Sequence, residues 1–320
     1  MSASTFMTDA ALPPTPVLSY GPVVLTVAGR PADLQIRVTL PASGTDLPVI
    51  LLSHGHGNSN NLSSLNGYAP LANLWAARGF VVIQPTHLSS KTLSHLHADA
   101  AEGPMFWRSR AEDMTHVIDR LDEIETAVPR LAGRMDRESI AVAGHSLGGF
   151  TAALLLGARV TDPENGQEAD LTEPRIKQGV LLAAPGRGGD ILTGVMAQQV
   201  PIFRSMDYST MTTPALVVAG EKDDSRHFTE MGPEWHADPY HLAPGSKTLL
   251  TLFGAEHGLG GISGYDAAET TDENPGRVAA LGELSAAYLR TQFRPGDNAW
   301  QEASDALATG PDAFGRIESK

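Results

Sequence analysis

Eight short apolar runs, spread along most of the chain, restrict the fold more than any other feature of the sequence. The first two lie close together and favour an antiparallel edge pair. The later ones are nearly continuous in apolar residues, which is typical of strands buried on both faces of a parallel sheet. The runs are VVLTVAG (23–29), LQIRVTL (34–40), PVILLS (48–53), FVVIQP (80–85), SIAVAG (139–144), GVLLAAP (179–185), PALVVAG (214–220) and KTLLTLFG (247–254).

Helical patterns separate these runs, so strands and helices alternate along the chain. In the segment 110–128, apolar side chains fall on one stripe of a helix. The alternation predicts an α/β fold with a mostly parallel eight-stranded sheet, an antiparallel N-terminal edge and helices on both faces. We expect one domain over residues 1–320. The helical patterns cover 68–79, 110–128, 147–159 and 277–293.

Two segments interrupt the alternation, near 85–110 and 158–178. Loops of this length are commonly lids or insertions, so both are predicted to be lid-like. The tail after Phe293 is expected to form a short helix and then to fray.

Composition narrows the function classes. The net charge of −14 repels phosphate backbones, so a nucleic-acid partner is not expected. The absence of cysteine excludes disulfides, thiolate zinc sites and a cysteine nucleophile. No leader pattern opens the chain, and no apolar run reaches the roughly 18 residues of a membrane span. We therefore expect a cytoplasmic protein without a membrane span; the sequence does not set its oligomeric state.

A Gly-x-Ser-x-Gly pentapeptide, GHSLG, covers residues 144–148 and is the strongest chemical signal in the chain. An apolar strand pattern precedes it and an apolar helix pattern follows it, which is the context that a nucleophile elbow requires. The alternative, a glycine-rich turn containing a serine by chance, is disfavoured by these flanks. Gly144 and Gly148 allow strand and helix to approach closely. Ser146 is therefore the candidate nucleophile.

A serine nucleophile needs a base and an acid that orients the base. Asp223 lies three residues past the glycine that ends the run 214–220, and Asp224 follows it. His257 lies at the same offset after the glycine that ends the run 247–254. We favour Asp223 over Asp224 as the acid, and His257 as the base. One of the two aspartates is expected to cap a helix that begins near residue 225. Three other histidines after the acid lie in a polar segment and are expected at the surface: His227, His236 and His241.

In order along the chain, the segments LLSHGHG, AVAGHSLGG, LVVAGEKDD and FGAEHGLGG resemble the α/β-hydrolase fold family. The resemblance covers about 23–293 and is greatest to the bacterial branch akin to platelet-activating-factor acetylhydrolase, chlorophyllase and dienelactone-hydrolase-like proteins. Dienelactone hydrolases use a cysteine, which this chain lacks. The acetylhydrolase takes its acid after the strand that follows the nucleophile helix. Here Ala183 and Ala184 stand in that place, which favours the later acid, Asp223.

The resemblance implies a serine-dependent carboxylic-ester hydrolase, without cofactor, that acts on small to medium, fairly apolar esters. Thioester or amide hydrolysis, acyl transfer and perhydrolysis use the same groups and stay open, and a non-catalytic binding protein is disfavoured. The oxyanion hole would use the backbone N–H of Leu147, the residue after the nucleophile. By resemblance, its second donor is the backbone N–H of His56.

His54 and His56 form an H-x-H pair, which is half of a metal site in binuclear hydrolases. The following residues GNSNN carry no carboxylate, so no metal is expected, and His54 is predicted to hydrogen-bond its turn in place. His87, His95 and His97 are expected at the surface or the cleft wall.

Phe106 and Trp107 lie with Met105 in the first lid-like segment. Two interpretations stay open from the sequence. Either these apolar side chains line the cleft and bind an acyl or aromatic group, or they pack the segment onto the core.

Overall fold

A computed structural model describes residues 15–97, 103–265, 267–309 and 313–320. The described strands are Val17–Leu25 (β1), Leu34–Pro41 (β2), Leu47–Ser53 (β3), Val81–Pro85 (β4), Met135–His145 (β5), Arg159–Thr161 (β6), Glu168–Asp170 (β7), Ile176–Leu182 (β8), Ala215–Gly220 (β9), Lys247–Leu252 (β10) and Gly315–Ser319 (β11). The described α-helices are Ala69–Ala77 (α1), Trp107–Asp119 (α2), Leu121–Ala127 (α3), Leu147–Leu155 (α4), Val195–Gln199 (α5), Asp238–Leu242 (α6), Pro275–Phe293 (α7) and Ala299–Thr309 (α8).

The main sheet has nine strands in the order β1-β2-β4-β3-β5-β8-β9-β10-β11. The six strands from β4 to β10 in this order pair in parallel, and β1 and β2 form an antiparallel N-terminal edge. All eight predicted strands lie in this sheet. The α/β class and the antiparallel edge are therefore confirmed.

The prediction of eight strands is wrong, because the tail adds a ninth. After α8 the chain does not fray but returns as β11, which pairs antiparallel to β10 from Thr248↔Ser319 to Leu252↔Gly315. Without β11, the backbone N–H and C=O groups of β10 would be open along that edge. The predicted short helix of the tail is present as α8.

Side chains of the central strands alternate between two buried layers. In β3, Val49 and Leu51 pack in one layer with Met114 of α2, and Ile50 and Leu52 pack in the other. The second layer also contains apolar residues of α1 and α7. Helices therefore cover both faces of the sheet. Both sets of side chains in each strand are buried, which explains why the strand sequences are continuously apolar rather than alternating.

The two segments predicted to be lid-like form small local structures. The first contains two short 3₁₀ turns, Lys91–Leu96 and Gly103–Met105, and its residues 98–102 lie outside the described part of the chain. The second folds as the hairpin β6–β7, paired from Arg159↔Asp170 to Thr161↔Glu168. Within the described residues, no helix has the length and apolar character that crossing a membrane requires.

Candidate active site

The candidate residues all follow strands whose carboxyl ends point the same way. Ser146 follows β5, Asp223 follows β9, His257 follows β10, and the loop 54–57 follows β3. Since these strands are parallel, their carboxyl ends meet at one edge of the sheet. Residues that are far apart in sequence are thus collected in one place.

The turn at Ser146 has the strained geometry of a nucleophile elbow. Ser146 adopts φ 54° and ψ −117°, a conformation that residues other than glycine rarely adopt. A Cβ at Gly148 would lie 2.0 Å from the carbonyl oxygen of Ser53, and one at Gly144 would lie 2.0 Å from that of Gly148. Only glycine fits at both positions, because β5, α4 and β3 approach one another closely there.

Three predicted residues form one hydrogen-bonded series. Ser146 Oγ lies 2.9 Å from His257 Nε2, and His257 Nδ1 lies 2.9 Å from Asp223 Oδ2 and 3.1 Å from Oδ1. The neighbouring Asp224 instead pairs at the surface with Arg226, at 2.6 Å. The helix expected near 225 is a series of turns. The structure thus brings Ser146, His257 and Asp223 together and leaves Asp224 outside the series.

The pKa shifts of Asp223 and His257 favour proton transfer from Ser146 to His257. Burial by itself would raise the pKa of Asp223, which is 2% exposed, but the adjacent His257 and His236 hold that pKa well below its usual value. Burial by itself would lower the pKa of His257, but the Asp223 carboxylate outweighs it and raises that pKa. The ionised carboxylate therefore makes His257 a stronger base than a free imidazole.

His236 lies at the site, and its predicted surface position is wrong. It is 1% exposed, its Nδ1 lies 2.8 Å from the carbonyl oxygen of Ala184, and its Nε2 lies 2.9 Å from Ser225 Oγ and 3.3 Å from Asp223 Oδ2. No local pattern marks this histidine, because the polar segment around it resembles a surface loop and only the fold brings it to the acid. His227 and His241 are exposed, as predicted.

The sequence predicts that the backbone N–H groups of Leu147 and His56 bind an oxyanion. Helix α4 begins at Leu147, where the first N–H groups have no intrahelical acceptor. In the described part of the chain, neither Leu147 N–H nor His56 N–H donates to a backbone carbonyl of a turn or loop. His54 Nδ1 donates to the carbonyl oxygen of Gly55, at 2.7 Å, as the prediction that His54 holds this turn requires. Since that carbonyl belongs to the peptide that carries His56 N–H, this bond fixes the direction of the N–H.

A buried histidine and tyrosine tie the loop 54–57 to the loop that carries the base. His145 Nε2 donates to the carbonyl oxygen of His257 at 2.7 Å, and Tyr68 Oη donates to His145 Nδ1 at 2.9 Å. Gly55 N–H donates to the same Tyr68 oxygen, at 2.9 Å. Burial lowers the pKa of His145 to about 3, so its ring stays neutral and keeps both bonds. The two loops are therefore held in one fixed relation.

Behind the loop 54–57 lies a buried polar cluster, centred on Arg110 of α2. Its guanidinium donates to Thr151 Oγ1 at 2.9 Å, Ser89 Oγ at 2.6 Å and Ser53 Oγ at 3.0 Å, and also to the carbonyl oxygen of His54. Burial lowers the pKa of Arg110 to about 9, so the group remains charged at neutral pH. A cation at the base of this loop favours negative charge above it.

His87 belongs to the same cluster, so its predicted position at the surface or cleft wall is wrong. The side chain is fully buried, with Nε2 2.9 Å from Ser53 Oγ and Nδ1 2.9 Å from Asp113 Oδ2. Asp113 is also paired with Arg30, at 2.8 Å. The reason is topological: His87 follows β4 directly, next to β3, and faces inward beneath the loop 54–57.

We expect Arg110→Met to lower the free energy of unfolding by about 3 kcal/mol, because the carbonyl of His54 and the hydroxyl of Ser89 lose their donor inside the protein. Denaturant unfolding followed by circular dichroism measures the change. The matched control is Arg108→Met on the same helix, where the side chain is partly exposed and pairs with Asp162. That loss should stay within about 1 kcal/mol, and equal losses in the two variants would contradict the role given to Arg110.

Trp107 packs the first lid-like segment onto the core, and Phe106 is buried within that segment. Phe106 is 6% exposed, and its ring lies 5.4 Å from that of His97; Trp107 is 3% exposed and belongs to the apolar layer beside α2. No contact in the described part of the chain joins either ring to Ser146. The packing interpretation therefore describes Trp107, whereas Phe106 packs against its own segment.

Among the described residues, one group of three side chains has metal-ligand atoms within 4.8 Å of one another: Asp223, His236 and His257. Their hydrogen bonds to each other and to Ser225 already satisfy these atoms, so we assign none of them as a metal ligand. His54 and His56 belong to no such group. His54 is buried and bonded to its own turn, and the side chain of His56 is exposed.

Comparisons with the models of known protein families and with curated proteins find no match to this chain.

Proposed function

We propose that this chain is a serine-dependent carboxylic-ester hydrolase of the α/β-hydrolase fold. The observation that carries the proposal is the series Ser146–His257–Asp223, hydrogen-bonded through both ring nitrogens of His257 and starting from a strained strand-turn-helix. Nucleophile, acid and base also occur in the chain order Ser, Asp, His that is typical of this fold. The parallel sheet with its antiparallel N-terminal edge is compatible with the same fold.

In the proposed reaction, Ser146 Oγ attacks the ester carbonyl while His257 Nε2 takes the hydroxyl proton. Asp223 keeps Nδ1 of His257 protonated and stabilises the imidazolium that forms. The oxyanion is bound by the N–H groups of Leu147 and His56, with the charge of Arg110 behind them. His257 then returns the proton to the leaving alcohol. Water attacks the acyl-enzyme, again with His257 as base, and releases the acid.

The surroundings of the base bear on the substrate class. The side chain of His257 is 44% exposed, so an ester can reach the reacting atoms directly from solvent. Phe106 and Trp107 are both buried, and we do not assign them to the acyl site. We retain small to medium, fairly apolar esters as the proposed substrates. Thioesters, amides and acyl transfer are the alternatives on the same three residues.

Labelling with a fluorophosphonate tests the proposal. Wild-type protein should bind one equivalent covalently at Ser146, located by peptide mass spectrometry, and the folded variant Ser146→Ala should bind none. A panel of p-nitrophenyl esters of increasing acyl length then ranks the substrates, and matched thioesters and anilides test the alternatives. Absence of label on folded wild-type protein would refute the serine-hydrolase proposal.

Dialysis against a strong chelator separates the proposed serine chemistry from a metal-dependent alternative. If serine chemistry operates, dialysis against a strong chelator should leave ester turnover unchanged, because no step uses a metal. A loss of turnover that added Zn²⁺ or Mn²⁺ restores would support the metal-dependent alternative. Labelling at Ser146 before and after dialysis shows whether the site itself stays intact.

A further inference from the structure

The loop that carries His257, residues 253–260, is held on both sides of the base by one carboxylate. Asp272 Oδ2 accepts the backbone N–H of Glu256 at 2.8 Å and the backbone N–H of Gly260 at 2.9 Å. Glu256 directly precedes His257, and Gly260 follows it by three residues. A single oxygen atom therefore fixes the course of the backbone before and after the base.

Asp272 is itself held in place at the start of α7. Its side chain is 5% exposed and pairs with Arg277 Nη1 at 3.2 Å, which also donates to the backbone carbonyl of Asp272. The side chain of Asn274 caps the helix by accepting Arg277 N–H, at 2.9 Å, and the Asn274 N–H donates to the carbonyl oxygen of Gly260, at 2.9 Å. The loop 253–260 is thus tied to a long helix by both side-chain and backbone hydrogen bonds.

The other oxygen of Asp272 lies against the residue that follows the base. A Cβ at Gly258 would lie 3.1 Å from Asp272 Oδ1, so the carboxylate approaches the backbone of the loop closely. Oδ1 is buried, and no protein group within the described residues donates a hydrogen bond to it. Since a buried charge is poorly screened, the part of this charge that Arg277 leaves uncompensated acts on nearby groups.

The nearest titratable group along this loop is the base itself. Burial by itself would lower the pKa of His257, Asp223 outweighs burial, and Asp272 is a further anion that raises the same pKa. The two acids act in different ways. Asp223 bonds directly to Nδ1 of the ring, whereas Asp272 bonds to the backbone on either side of it.

We propose that Asp272 is a positioning residue of the active site, which holds the loop 253–260 so that His257 meets Ser146 and stabilises the imidazolium formed during the reaction. It acts through the backbone and through its charge, and it does not bond to Ser146 or to the ring of His257. This inference rests on the proposed function, because the imidazolium forms only in that reaction.

Removal of the Asp272 charge should lower the pKa of His257. His257 acts as a base only when it is neutral, and with a lower pKa it stays neutral further into acid. The acidic limb of kcat/KM should therefore move to lower pH. The other titratable or charged groups around His257 and Asp272 are Asp223, His145, His227, His236, Glu256 and Arg277.

The variant Asp272→Asn isolates the charge, because its side-chain oxygen can accept the same two N–H groups. We expect the acidic limb to move to lower pH and the plateau kcat to fall only about threefold. The matched control is Glu273→Gln, which removes one negative charge from an exposed side chain next along the chain. Its kcat and pH profile should equal those of the wild type.

The variant Asp272→Ala tests the positioning, because the N–H groups of Glu256 and Gly260 lose their acceptor. We expect kcat to fall about 30-fold with little change in KM, since the base moves relative to Ser146 while the oxyanion donors lie on other segments. Asparagine should thus restore most of the lost kcat without restoring the wild-type pH profile. A role in stability alone would lower the free energy of unfolding in both variants and leave the acidic limb in place.

A titration of the His257 ring by NMR measures the same effect without turnover, and it keeps the test decisive if Asp272→Ala does not fold. The ring should titrate at lower pH in Asp272→Asn than in the wild type or in Glu273→Gln. An unmoved ring titration and acidic limb in folded Asp272→Asn overturn the proposal. Wild-type kcat in folded Asp272→Ala does so as well.

The outcomes separate this inference from the proposed function. If wild-type protein is labelled at Ser146 and hydrolyses esters but the Asp272 variants keep its kcat and pH profile, only the role of Asp272 fails. If wild-type protein is neither labelled nor active, the proposed function fails. The NMR titration then still shows whether the charge of Asp272 acts on His257.

Discussion

Ser146→Ala should reduce ester turnover by about 10⁴-fold or more, since the variant has no nucleophile and retains only binding and the oxyanion donors. The rate with the best p-nitrophenyl ester, measured against the uncatalysed reaction, gives the factor. Alanine removes one oxygen and leaves the backbone of the elbow unchanged, so the folded structure should persist. Thermal unfolding of the variant checks this point.

Ser209→Ala is the matched control for that experiment. Ser209 is exposed and bonds to Asp207, away from the sheet edge that carries Ser146. Its turnover should equal that of the wild type. If Ser146→Ala retained substantial turnover in a well-folded sample, the nucleophile would have to be another group, and the proposed mechanism would fall.

Asp223→Asn and Asp224→Asn form the second pair with a large expected contrast. In Asp223→Asn, the side chain no longer bears charge, and the amide can donate to Nδ1 of His257 and favour the wrong tautomer. Turnover should fall by about 10⁴-fold. In Asp224→Asn, only a surface pair with Arg226 is lost, so turnover should stay within about twofold of the wild type.

The pH profile of the same pair checks the assignment. Loss of the Asp223 charge removes the influence that raises the pKa of His257, so the remaining activity should extend to lower pH. Asp224→Asn should keep the wild-type profile. An inactive Asp224→Asn variant together with an active Asp223→Asn variant would show that Asp224 is the acid that orients His257.

The arrangement around Ser146 was predictable because it depends on short segments. In this chain the strained strand-to-helix turn has room only for glycine at positions 144 and 148, so these two glycines mark the turn in the sequence. Asp223 and His257 were found by their offset after buried strands, since parallel strands bring their carboxyl ends together. The choice of Asp223 over Asp224 was a preference until the geometry separated them.

For other residues of the site, no local sequence pattern predicts their position. Arg110 and His87 are polar residues in a segment predicted to be a lid, yet they are buried beneath the loop 54–57. His236 lies in a polar segment that resembles a surface loop. Each becomes part of the site because distant elements pack around it, and a burial of this kind depends on the whole fold rather than on neighbouring residues.

By itself, the sequence determined the α/β class, the eight apolar strands and the proposal of Ser146, His257 and one of the adjacent Asp223 and Asp224 as a site. These features follow from short-range rules: the periodicity of buried strands, the space that glycine leaves, and the spacing after strand ends. Only the tertiary structure decided that the tail closes the sheet as a ninth strand, that Asp223 rather than Asp224 meets His257, and that His236 lies against the acid. The reason is physical, because hydrogen bonds and burial between residues far apart in sequence exist only once the chain has folded.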